Sequence, residues 1–393
     1  MRFIMAMTLL ALQLALTAGA NAQDSPGLIT GTVTEKANLE LMLFKKINKK
    51  TEMLAEYKIT PENTDYAFAV PTDKAATYHL MINVMKQGHL RLESEKMLTF
   101  PLTISAGKVL GVNITPSQLD TIKKTGLSVN AAAKNGSLCR VGGVLTNSKV
   151  GGPVSLLRVV NGQMEKIASF NTSGSNLRFE LAVPVKEEGF YYLSTLRWRA
   201  RIYLKPSDEL EVSADVVSGK YSVIKGSEEN KWMEKWQNLS WPITSWGYNI
   251  NVYQNGINLD QYFVEYEKLQ PAIVDFKQKN GIANQNFKKL FYQAIDIDNA
   301  LAPMYLFARS SSRKVNSLDA APRNGSEPPS FYRQFIGDGR FDDAAMLRIG
   351  ETMQYLQLYG KLRLSFMPER KNLSAAEQLK IKMDAINNET IRW

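Results

Sequence analysis

The sequence predicts an α+β protein of several domains: two tandem antiparallel β-sandwich modules followed by an all-α helical domain. Two observations carry the β part: a likeness between successive segments at an offset of 100 to 113 residues, and strict period-two alternation broken by turn signals. A third carries the rest, since beyond Ser227 the apolar period becomes helical.

Taken in order, residues 1–22 read as a removable export signal. Arg2 precedes an apolar run from Phe3 to about Ala18, and Ala20-Asn21-Ala22 fits the small-x-small cleavage pattern. No cysteine follows it for lipid attachment, and no later run of 18 apolar residues is present, so the mature chain is expected to be exported and not membrane-spanning.

The first module is expected over 23–130 and the second over 131–227. Ala67-Phe68-Ala69-Val70-Pro71 and Thr77-Tyr78-His79-Leu80 match Glu180-Leu181-Ala182-Val183-Pro184 and Phe190-Tyr191-Tyr192-Leu193 at an offset of 113. Upstream, Gly31-Thr32-Val33 matches Gly143-Val144-Leu145; downstream, Lys108–Val112 matches Asp208–Val212 at an offset of 100. The first copy therefore carries about 13 extra residues, expected around Lys86 to Met97. Phe179, Leu181 and Val183 alternate with Glu180 and Ala182, and Asn161-Gly162 and Pro206-Ser207-Asp208 mark turns, which is sandwich patterning.

A helical domain is expected over 228–393. Tyr262, Tyr266, Leu269, Ile273 and Phe276 repeat at three and four, as do Met346, Ile349, Met353 and Leu356, and Ala376, Leu379, Met383 and Ile386. Pro271 and Pro303 are expected to start or kink helices, Ser310 to Pro329 to be a loop, and the last helix to run uncapped to Trp393.

Composition narrows function. Hydrophobic residues at 44% and charged residues at 22% are globular values. One cysteine excludes intramolecular disulfides and CxxC chemistry within these residues, and His79 and His89 alone cannot build a multi-His metal centre. The net charge of +10 is spread as +3, +3 and +4 over 28–130, 131–230 and 231–393, with no basic stripe, so a nucleic-acid partner is not expected. No GxSxG, GxxxxGK[ST] or HExxH pattern occurs, and neither Asp296-Ile297-Asp298 nor Asp338–Asp343 fits a calcium loop, so no catalytic residue, metal or cofactor is expected.

Two groups stand out as binding candidates. Arg197, Arg199 and Arg201 fall on one face of a strand, where three guanidinium forks could hold an anionic ligand or pair with carboxylates of a neighbouring strand. Trp232, Trp236, Trp241 and Trp246 gather at the junction with the helices, where they could stack on a glycan, grip a protein partner or pack internally. Lone Cys139 reads as a small buried hydrophobe or a thiol for mixed disulfides, and His79 as a packing residue.

The second copy resembles a known family through Gly143-Val144-Leu145, Phe179-Glu180-Leu181, Gly189-Phe190-Tyr191-Tyr192-Leu193, Tyr203–Val212 and Lys225-Gly226-Ser227-Glu228-Glu229-Asn230. These are similar to the N-terminal β-domain of TlpA-like periplasmic thiol–disulfide oxidoreductases of Bacteroidota, with Ser207 where that family has glycine. The resemblance implies a periplasmic location and a following thioredoxin domain with a Trp-Cys-x-x-Cys site. These residues contain no such site, so no catalytic residue carries over. The expected function is a non-catalytic periplasmic binding or scaffold protein with a partner in the envelope. The alternatives are the front portion of a thiol–disulfide oxidoreductase and a carbohydrate-binding envelope protein.

Overall fold

The computed structural model describes residues 26–71, 76–88, 92–131, 137–173, 177–196, 198–248, 259–279, 281–310, 330–335, 341–384, 386 and 388–392. The export signal and the 311–329 segment lie outside them. The chain forms two compact units: Met1–Arg140 with Glu180–Pro184, and Val141–Phe179 with Val185–Trp393. The helical region is thus not a unit of its own; it shares a core with the second β-module.

Sixteen strands are described. In the first unit they are β1 (Gly27–Thr32), β2 (Asn38–Ile47), β3 (Lys50–Ile59), β4 (Asp65–Val70), β5 (Thr77–Gln87), β6 (Leu92–Leu102), β7 (Val109–Val112) and β8 (Val129–Ala131), with a short helix α1 (Leu119–Thr125) before β8. One sheet runs β4-β1-β7-β8 and the other β3-β2-β5-β6. Tyr57 of one sheet meets Tyr66 and Phe68 of the other with ring centroids 6.1 to 6.3 Å apart, so the module is a sandwich closed by aromatic edges. The β1–β7 pair is parallel, against the all-antiparallel expectation.

The strands continue as β9 (Leu138–Thr146), β10 (Pro153–Val160), β11 (Gln163–Asn171), β12 (Arg178–Pro184), β13 (Gly189–Ser194), β14 (Arg199–Leu204), β15 (Glu209–Asp215) and β16 (Tyr221–Lys225). Their orders, β12-β9-β15-β16 and β14-β13-β10-β11, repeat those of β1 to β8 strand for strand. The extra residues of the first copy lengthen a hairpin: β5 and β6 have 11 residues each, β13 and β14 six each. The repeated glycine has a steric cause. A Cβ on Gly31 would lie 1.8 Å from the carbonyl oxygen of Val112, and one on Gly143 2.3 Å from that of Val212, so only glycine lets these strands approach.

Helices follow as α2 (Glu228–Tyr248), α3 (Leu259–Gln278), α4 (Gln285–Ser310), α5 (Thr352–Ser365), α6 (Ala375–Asp384) and α7 (Glu389–Arg392). Their core is continuous with β13 and β14: Phe190, Tyr192 and Tyr203 pack with Trp236, Phe287, Phe291 and Leu301. Pro271 and Pro303 lie inside α3 and α4, so of the two expectations, starting or kinking a helix, the first does not hold. Two further helical expectations change. Met346 belongs to a 3-10 turn and Ile349 is extended, so α5 begins only at Thr352 and buries Tyr355, Leu358, Tyr359 and Leu362 instead. The final periodic run breaks after Asp384, and Asn388 caps the separate α7 through the Ile391 N–H. Among the described residues no helix is long and apolar enough to cross a membrane.

Candidate functional site

The densest polar constellation grows from the β13–β14 hairpin. Register places Tyr192 directly opposite Arg201, and alternation turns both to the face that carries Phe190 and Tyr203, beneath the helices. The Arg201 fork meets Asp298 of α4 bidentately, Nη1 at 3.0 Å from Oδ2 and Nη2 at 2.9 Å from Oδ1. Nη2 also donates to Glu351 Oε2 at 2.7 Å, and Nε to Tyr192 Oη at 3.0 Å. Tyr192 Oη donates to Glu351 Oε2 at 2.5 Å and accepts the Gly350 N–H at 3.0 Å. Trp236 Nε1 of α2 donates to Asp298 Oδ2 at 2.9 Å.

All of this is dry: the side chains of Arg201 and Asp298 are 10% exposed and that of Glu351 is 9% exposed. Burial works against the charge on Arg201, yet Asp298 and Glu351 together hold its guanidinium well above the ordinary arginine value. Burial is also the main cause of the Tyr192 phenol being held well above its usual value, so it remains a neutral donor. Gly350 is required where the turn crosses the hairpin, because its Cβ would lie 2.5 Å from Met164 Cγ and 2.9 Å from the Tyr192 ring.

The three arginines therefore do not form one presented row. Arg201 is internal, Arg199 is exposed at the start of β14, and Arg197 lies outside the described residues. Trp236 is buried and Trp232 half-buried against Phe276, with Lys235 Nζ 3.9 Å from the Trp232 ring centroid. Trp241 stands over Gly219, 2.3 Å from where a Cβ would be; the Trp246 side chain is outside the described residues. The structure thus brings Arg201 and Trp236 together on a shared carboxylate and directs Trp232 and Trp241 to packing. Asp298 was visible in the sequence only as half of an acidic pair, and Glu351 was not visible. One signal pointed to Asp298: it occupies an apolar phase of α4, between buried Ala294 and Leu301.

The other carboxylates are also engaged. Asp296 pairs with Lys277, and Asp343 with Lys289 at 2.8 Å while capping Ala345. Among the described residues no three His, Cys, Asp or Glu side chains are grouped closely enough to hold a metal ion. Cys139 is fully buried, and His79 is half-buried between Phe44 and Pro101 in register.

A second set of contacts surrounds the motif residues of the second copy. Ser207 has φ of 70°, a left-handed turn position that suits glycine, and Asp208 Oδ2 accepts the Lys205 N–H at 2.9 Å. Asn230 clamps Tyr203, accepting its N–H at 2.9 Å and donating to its carbonyl at 2.7 Å. Lys205 Nζ reaches both oxygens of Glu229 at 3.0 Å, and Asn284 donates to Glu229 at 3.1 Å.

No family model matches the chain. No curated protein matches it either. Three solved structures are similar over half of it. CBMbc, of family CBM26, from Eubacterium rectale Amy13K in complex with maltoheptaose shares 13% identity over 51% of this chain and 97% of its own, with a TM-score of 0.19. The Bacillus anthracis TIE protein shares 11% over 52% and 34%, with a TM-score of 0.17. A candidate cell adhesion protein from Bacteroides ovatus ATCC 8483 shares 9% over 52% and 96%, with a TM-score of 0.17.

Proposed function

We propose that the chain is an exported, non-catalytic binding or scaffold protein, in which the second β-module and the helices act as one platform for a partner in the envelope. The observation that carries this reading is the Arg201 cluster. Its two carboxylates, guanidinium, phenol and indole are satisfied by one another away from solvent, so the strongest polar constellation serves assembly of the fold rather than a substrate. Native mass spectrometry of the tagged chain from its envelope fraction tests it. A stoichiometric complex without turnover of thiol or glycan substrates is expected, and substrate turnover by the isolated chain would overturn the reading.

A second reading is the front portion of a thiol–disulfide oxidoreductase. It is favoured by the motif residues of the TlpA-like resemblance having defined tasks, the Ser207 turn and the Asn230 clamp among them. An intact native product heavier by about 100 to 150 residues, a typical domain, is its expected outcome. A product ending at Trp393 would sink it.

A further inference from the structure

The two ends of the second module have different fates. At one end every turn is engaged by the helical region. Gly162 exchanges backbone hydrogen bonds with Leu347 and Met353, Glu188 accepts from Asn284 and Asn286, and Lys205 pairs with Glu229. At the other end lie the 147–152 connection, Thr195 and Leu196 beyond β13, and the 216–220 connection, which meets α2 at Gly219 through Gln237 and Trp241 and leaves Val217 outside that contact. Ser155 and Ser194 pair in register beside that end, and Asn147 donates to Asp215 at 2.9 Å there.

Each of these connections presents one apolar side chain to solvent. Leu196 is 97% exposed, Val150 76% and Val217 72%, the three most exposed large hydrophobics among the described residues. None is left there by a slack loop. The Thr195 N–H bonds the Trp198 carbonyl, and the Trp198 N–H returns to Thr195 Oγ1, which pushes Leu196 outward. Asp215 Oδ1 accepts the N–H groups of Val217 and Ser218, and Ser148 Oγ donates to the Val150 carbonyl. Around these tips stand exposed Lys149, Arg199 and Lys220. Asp215, at the base of the 216–220 connection, is already committed to the loop N–H groups and to Asn147, which hold its carboxyl below its usual range.

We propose that this end of the second module docks peripherally on a bilayer bearing anionic lipid, inserting Val150, Leu196 and Val217 while Lys149, Arg199 and Lys220 meet the headgroups. Separate protrusions on separate turns form no pocket for a shaped ligand, whereas a bilayer accepts isolated apolar tips without a matching contour. The cationic surround supplies the charge complementarity. This goes beyond the scaffold reading and does not rest on it.

Vesicle flotation of the full chain tests the proposal, using phosphatidylcholine vesicles with and without phosphatidylglycerol. Wild type should float with the anionic vesicles and be released by salt. Replacing Val150, Leu196 and Val217 together by serine should lower partitioning at least about tenfold. Each of Lys149→Glu, Arg199→Glu and Lys220→Glu should lower it about fivefold or more. Single serine variants with unchanged melting temperature guard against misfolding in the triple variant. Failure of wild type to float, equal flotation of the serine variants, or equal binding to both vesicle types would overturn the proposal. So would a concentration-dependent dimer that the serine variants abolish without any vesicle binding, which would make a second copy the occupant.

Discussion

The two β-modules share a strand order but differ at matched positions on one sheet face, and the difference shows how a repeated frame acquires a cover. In the first, His79 of β5 faces Pro101 of β6, and His79 is half-buried. In the second, the matching register pair is Tyr192 and Arg201, buried under α2, α4 and the turn before α5. A histidine and a proline offer little to bind a carboxylate in register. A phenol and a guanidinium fork together offer enough donors to hydrogen-bond two, and Asp298 and Glu351 meet them. What the copies retain is the frame itself, in the Gly31 and Gly143 approaches to a neighbouring carbonyl.

The largest expected effect tests that contrast directly. Arg201→Ala leaves Asp298 and Glu351 buried without their cation and should cost about 3 to 5 kcal/mol in urea unfolding. Pro101→Ala at the matching position should cost less than about 1 kcal/mol. Equal losses would erase the distinction between the modules.

Gly31→Ala and Gly143→Ala should both destabilise by about 3 kcal/mol or somewhat less, through overpacking against a carbonyl that only backbone movement can relieve. A large effect in only one copy would show that the frame is not shared in energy.

Tyr192→Phe removes a hydroxyl that serves Glu351, Arg201 and the Gly350 N–H, and should cost about 1 to 3 kcal/mol. His79→Phe should fall near zero in the same denaturation experiment.

The smallest effect is a pH dependence. Burial opposes the charge on Glu229, but its own backbone N–H, Lys205 and Asn284 outweigh it and hold the carboxyl below its ordinary value of 4.5. A lowered folded-state value means that this stability is present above about pH 4.5 and is lost as pH falls through the folded value. Glu229→Gln should therefore flatten the acid limb of a melting-temperature profile while lowering its neutral plateau slightly. An unchanged acid limb would remove Glu229 from the account.

Much of the frame was legible because its signals are local. Alternation in Phe179–Val183, the turn at Asn161-Gly162 and the repeated glycines each follow from backbone chemistry within a few residues. The parallel β1–β7 pairing was not, since two short strands separated by most of a module carry no mark of their relative direction. Alternation gave the face on which Arg199 and Arg201 lie but not what covers it, so a residue buried against α4 read as one of a surface row. Glu351 gives no signal because it sits in a turn across which the three-and-four spacing of Met346, Ile349, Met353 and Leu356 continues unbroken into α5. The buried face of α5 relies on Tyr355 and Tyr359, whose polar tips weaken an apolar stripe.

Cys139 gives the fold a built-in clock. It is the single cysteine of the chain and fully buried on β9, a strand whose residues divide between the two compact units. A maleimide or aromatic disulfide reagent can reach it only when that strand opens, so labelling under native conditions counts openings without any engineered probe. Where reclosing outruns the reagent, the labelling rate measures the free energy of opening; where the reagent outruns reclosing, it measures the opening rate itself.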